Sequence, residues 1–138
     1  MEEVNLIAVL VAGVVSMGLG AFWYSPAGFG KIWMRHSGMT EEKINEVKGK
    51  GMAKSYVINF IAALVMAYVL GYVLSMLGAL TLPGALGTAC MLWIGFIAAV
   101  LIGTVLWEMK SWMYYAINAG YYLVSLLLMA SVFTFFVG

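Results

Sequence analysis

The sequence predicts an all-α integral membrane protein: four transmembrane helices forming two parallel-repeat hairpins, both termini outside, and a short amphipathic segment in the first cytoplasmic loop. Three observations predict this. The 138 residues are 64% hydrophobic and 9% charged, whereas soluble domains carry roughly a quarter charged residues. The apolar residues gather into four stretches, each long enough to cross about 30 Å of hydrocarbon. Every Lys and Arg falls in two of the connections between them. With one Cys, one His and no Asp, the chain has no intramolecular disulfide, zinc cluster, Ser-His-Asp triad or Cys-His-Asp triad. No catalytic residue, metal or cofactor is assigned.

The spans are expected at 4–24, 56–80, 82–107 and 112–137, within a single domain over 1–138. The first reads as a retained helix, because Glu2 and Glu3 stand where a secretory signal carries Lys or Arg. Between the second and third lie only Gly78 to Pro83, turn residues that imply a tight antiparallel hairpin. The third and fourth are joined by Glu108 to Ser111. One connection, 25–55, is long. In its first part Phe29, Ile32, Trp33 and His36 recur at helical spacing, with Lys31 and Arg35 on the other side, as in a helix lying in the headgroup region. Farther along, Thr40 caps a solvated helix whose first turn holds Glu41 and Glu42, and Gly49 to Gly51 ends it.

Topology follows from the basic residues. The long loop holds six, Lys31, Arg35, Lys43, Lys48, Lys50 and Lys54, and the last turn holds Lys110; the other turn and both termini hold none. Both charged connections are therefore expected in the cytoplasm, in a multi-pass protein of the cytoplasmic (inner) membrane.

The two halves echo one another. Lys31-Ile-Trp33-Met34 matches Lys110-Ser-Trp112-Met113, and Tyr56-Val-Ile-Asn59 matches Tyr115-Ala-Ile-Asn118, with Trp23 and Trp107 ending the preceding span in each half. Such copies would be related by a pseudo-two-fold axis along the membrane normal.

Small residues recur every four positions: Ala8, Ala12, Ser16 and Gly20 in the first span; Asn59, Ala63, Ala67, Gly71, Ser75 and Ala79 in the second; Gly95, Ala99 and Gly103 in the third. These ridges are read as packing faces, with Leu70 turned toward lipid; the alternative is a pore lining. Asn59 and Asn118 lie about 7 to 9 Å inside the membrane, and Asn118 shares a face with Tyr114, Tyr121, Tyr122 and Ser125. An amide at that depth needs a partner, supplied either by an interhelical hydrogen bond or by a bound ligand. Glu108, beside Lys110 and Trp112, is an interfacial ion pair or a helix-end group reaching water, or else a buried proton carrier or acid-base group. Trp23, Tyr24, Trp33, Tyr56, Trp107, Trp112, Tyr114 and Tyr115 form a cytoplasmic aromatic belt, with Lys31 and Lys110 also interfacial.

At Trp23-Tyr24-Ser25-Pro26, then Phe29-Gly30-Lys31 and Trp33-Met34, the chain resembles a family of small prokaryotic membrane proteins, the domain of unknown function 1761. Trp107-Glu108, Trp112 and Asn118-Ala119-Gly120-Tyr121 are similar to its second block, so the resemblance covers nearly the whole chain. It implies four membrane helices and no assigned activity.

The expected function is that of a homo-oligomer binding or passing a small solute or ion near the cytoplasmic face, through Glu108, Asn59, Asn118, Tyr24 and Tyr121. The alternatives are a small four-helix enzyme acting on a lipophilic substrate, and an accessory subunit of a larger membrane complex. The lipid bilayer is one partner. Nucleic acid is not expected, because the net charge is only +1 and the loop's bases alternate with Glu.

Overall fold

Asn5 opens the first span by accepting from the backbone N–H groups of Ile7 (3.0 Å) and Ala8 (3.1 Å), two of the donors that a helix start leaves unpaired. The computed structural model describes residues 4–38, 42–43, 45–46 and 52–136. Helix α1 runs Leu6–Trp23, and α2, Gly30–Ser37, ends at Gly38 in the left-handed conformation (φ 78°) that glycine adopts at no steric cost. Helix α3 is Met52–Leu77 and so begins four residues earlier than the apolar run suggests. Helix α4, Leu82–Leu106, starts with Thr81 as its cap and Pro83 in its first turn. Helix α5, Trp112–Phe135, is capped by Ser111, which accepts from Tyr114 N at 3.1 Å. Of the solvated helix expected after Thr40, Thr40 itself, Glu41 and the 49–51 terminus lie outside the described residues; Glu42, Lys43, Asn45 and Glu46 are helical and exposed.

Helices α1, α3, α4 and α5 are each long and apolar enough to cross a membrane. The chain is a multi-pass membrane protein.

Helix α5 is the centre of the bundle. It packs along α1 on one side and α4 on another, while α3 lies mainly against α1. With lipid on the outside no hydrophobic force drives these contacts, so small side chains that let backbones approach decide where helices meet. Ala8, Ala12 and Ser16 of α1 and Ala63, Ala67 and Gly71 of α3 are buried as the ridges predict. At Gly71 a Cβ would stand 2.6 Å from the Phe133 ring and 3.1 Å from Val4 Cγ1.

Two packing expectations are corrected. Leu70 is buried in the core, 2% exposed, rather than turned to lipid. The third ridge is not a contact face: Gly95 and Ala99 are exposed, and a Cβ at Gly95 would meet nothing within 4 Å. The stripe that α4 turns inward is Ala85, Ala89, Trp93 and Ile97. Four-residue spacing drifts by about 40° per step around a 3.6-residue helix. Part of that drift is taken back by a wider π turn at Ile94–Ala98, after which short helical segments continue over Ala99–Leu101 and Gly103–Leu106. Tyr115 of α5 donates its hydroxyl to Ala98 O at 2.7 Å, tying this irregular turn to the central helix.

Candidate functional site

After α1 the chain doubles back within six residues: Phe29 N bonds to Trp23 O (2.6 Å), and both Gly28 N and Gly30 N bond to Ser25 O (3.0 Å each). The path requires glycine, because a Cβ at Gly28 or Gly30 would strike the backbone carbonyls of Phe22 and Tyr24. This tight return lays α2 against α5. Lys110 Nζ donates to Ser37 O at 2.6 Å, and the Ser111 hydroxyl and His36 Nδ1 are 2.8 Å apart, so the last turn also locks onto α2. Helix α2 is thus a wall of the bundle.

Between that wall, α4 and α5 lies a cavity of about 670 Å³, lined by Tyr24, Trp33, Tyr114, Asn118 and Tyr122 together with Pro26, Gly30, Lys31, Met34, Met52, Leu101 and Thr104. Tyr24 donates its hydroxyl to Asn118 Oδ1 at 2.6 Å, which holds the amide in one orientation. The Tyr24 ring stands edge-on to Trp33 (centroids 5.8 Å), and Trp33 is nearly parallel to Tyr114 (24°, 6.3 Å). Trp33 Nε1 is buried with no hydrogen-bond partner among the described residues. Lys110 lies 5.4 Å from the Tyr114 ring centre.

The rotation of α5 that presents Asn118 is set by two indoles. Trp23 Nε1 donates to Ile117 O (3.0 Å), and Trp93 Nε1 donates to Ala119 O (2.8 Å). These carbonyls flank Asn118 in the chain. Sequence reasoning placed Trp23 in the interfacial belt and overlooked Trp93. The available signal was a tryptophan in mid-span, whose N–H must find a partner when buried.

A second cavity of about 380 Å³ lies on the α1–α3 side, lined by Met17, Gly20, Ala21, Tyr24, Tyr56, Asn59, Tyr121 and Tyr122. Tyr24 and Tyr122 line both spaces and so stand between them. Tyr121 turns toward α1, where its hydroxyl donates to Ser16 O (3.0 Å) beside a buried Ser16–Ser125 hydroxyl pair (2.8 Å).

The five expected ligand residues therefore separate. Tyr24 and Asn118 meet in the larger cavity, while Asn59 and Tyr121 border the smaller one. Asn59 was expected to face the bundle interior but is exposed, its Nδ2 reaching only Met17 Sδ at 3.4 Å. Glu108, expected among the ligand residues, is exposed in the last turn and lines neither cavity. Of the interfacial set, Trp107 and Trp112 are outward, 84% and 59% exposed, whereas Trp23 and Trp33 are built into the bundle and Lys31 edges the larger cavity. The residues that echo one another in the two halves thus occupy unlike surroundings, Asn59 against Asn118 and Trp23 against Trp107.

The family described as "Protein of unknown function (DUF1761)" matches residues 7–134, which include every described residue of both cavities. The chain belongs to the DUF1761 family. No curated protein and no solved structure matches it. In this DUF1761 protein the two sequence blocks that carry the resemblance come together: Tyr24, Gly30, Lys31 and Trp33 from the first and Asn118 from the second line one cavity.

Proposed function

We propose that this DUF1761 protein binds a small, largely apolar solute in the larger cavity and releases it past Tyr24 and Tyr122 into the smaller one. The observation that supports this best is the Tyr24–Asn118 hydrogen bond in the wall of a 670 Å³ space otherwise lined mainly by aromatic and apolar side chains. Ligand sites of this kind combine an apolar enclosure with one or two fixed polar groups that set orientation. In this reading Tyr24 and Asn118 are the first contact and Asn59 and Tyr121 line the exit. The loop end of the bundle faces the cytoplasm, the termini face outward across the cytoplasmic membrane, and the protein works as a homo-oligomer. Among the described lining residues there is no carboxylate, His or Cys, and the reading assigns binding and passage.

The test is native mass spectrometry of the protein released from its own membrane, followed by identification of any bound mass. A small-molecule adduct is expected that weakens in Tyr24→Phe, disappears in Asn118→Leu, and survives Glu108→Gln. Wild-type protein without any adduct, and with no gain in heat stability from any lipophilic compound, would sink the reading.

A further inference from the structure

We infer that the larger cavity selects an anionic amphiphile: a carboxylate or phosphate head held by Lys31 and Asn118, with a hydrocarbon body against Met34, Met52 and Leu101. This rests on the binding reading above and names its ligand class.

The polar groups of the lining are unbalanced. The amide oxygen Asn118 Oδ1 is engaged by Tyr24 O–H at 2.6 Å, while no partner is recorded for Asn118 Nδ2 among the described residues, leaving two N–H groups to donate. The hydroxyls of Tyr114 and Tyr122, which also line the space, likewise have no hydrogen-bond partner among the described residues. Thr104 spends its own proton on Leu101 O at 2.8 Å. Lys31 adds a full positive charge at the edge, and Lys110 approaches Tyr114 at 5.4 Å. The first residues of α2, Gly30 and Lys31, form part of the same wall. No carboxylate stands among the described lining residues to offset these charges.

A mainly apolar space whose few free polar groups can donate, with a lysine at its edge, favours ligand oxygens and opposes ammonium groups. The aromatic rings alone would accept a cation through their faces, but a cation would have to enter past Lys31 with no counter-charge inside. The remaining lining, Pro26, Met34, Met52 and Leu101, is apolar and matches a hydrocarbon tail. A basic pocket between membrane helices is the chemistry that takes acidic lipid heads. The acid can come from a free fatty acid or from an anionic phospholipid.

The full chain in phosphatidylcholine nanodiscs tests this with photoreactive alkyl chains of equal length ending in a carboxylate, a phosphate or a primary amine. Labelled residues are mapped by peptide mass spectrometry. The two acids are expected to label Met34, Met52 and Leu101 about tenfold more than the amine, corresponding to about 1.4 kcal/mol. Lys31→Ala, at an exposed position, should cut acid labelling several-fold, and Asn118→Leu should cut it further. Competition by excess laurate or by phosphatidylglycerol in the disc supports the proposal and assigns the source. Amine labelling equal to acid labelling, or acid labelling unchanged in Lys31→Ala, overturns the anionic class while leaving the binding site standing. If no chain of any charge labels the three residues, the binding reading fails as well.

Discussion

The Tyr24 hydroxyl sits 2.6 Å from Asn118 Oδ1, and the bond joins residues that are 94 positions apart in the chain. It crosses from the end of α1 to the first third of α5. Tyr24 also closes the space on the α1–α3 side, so the same side chain that orients the amide separates the two cavities.

Tyr24→Phe removes that bond and keeps the ring. The expected loss of stability is about 0.5 to 1.5 kcal/mol, the range of interhelical hydrogen bonds in membranes, measured by reversible unfolding in mixed micelles. Ligand affinity should fall by more than the stability change suggests, because Asn118 is then free to rotate. Unchanged affinity would mean that the amide does not orient the ligand.

Gly71→Leu and Gly95→Leu make a matched pair within two membrane helices. At Gly71 even a Cβ would collide with Phe133, whereas Gly95 has open space. Overpacking at the first position should cost about 2 kcal/mol or more, and the second should be near neutral. Equal melting temperatures would remove the close contact between α3 and α5.

Trp23→Phe and Trp93→Phe each leave a ring in place and delete one indole N–H. Each should cost about 1 kcal/mol, and the double variant should cost more than the sum, because both bonds fix the rotation of one helix. A double-variant cycle in which the costs simply add would show that the two indoles act separately.

Orientation across the membrane is tested with a single Cys at Glu46 or at Thr81, both exposed, in a chain whose native Cys90 is replaced by Ala. An impermeant maleimide should label Thr81→Cys in intact cells, and Glu46→Cys only after the membrane is opened. The reverse pattern overturns the assignment made from Lys and Arg.

What the sequence revealed followed from which forces have a period. Hydropathy marks spans because burial in lipid acts on every residue, whereas the caps Asn5, Thr81 and Ser111 that fix three helix starts went unread in the sequence. Small-residue spacing found the faces of α1 and α3. It failed on α4, where Gly95, Ala99 and Gly103 repeat at the right interval on the opposite side from Ala85, Ala89 and Trp93. Spacing alone gives a stripe but not which neighbour occupies it, and the π turn at Ile94–Ala98 has no signature in composition. The site was half legible. Asn118 and Tyr24 were singled out because amides and phenols are costly in hydrocarbon, but their pairing depends on the return turn through Gly28 and Gly30, which sets distances between segments far apart in the chain. Asn59 and Asn118 echo one another in sequence but sit in unlike surroundings, because one hairpin carries α2 and the other only a short turn.

The central place of α5 bears on how the protein is made. A ribosome delivers α1, α3 and α4 to the bilayer before the helix against which α1 and α4 pack, so α1 and α4 must wait in lipid with Ala8, Ala12, Ala85 and Ala89 uncovered. The two cavity walls meet only when α5 is inserted. Biogenesis of this protein should therefore be all-or-nothing with respect to α5. Chains halted before Trp112 are expected to reach the membrane yet remain substrates for membrane proteases, with no partly working product for the cell to retain.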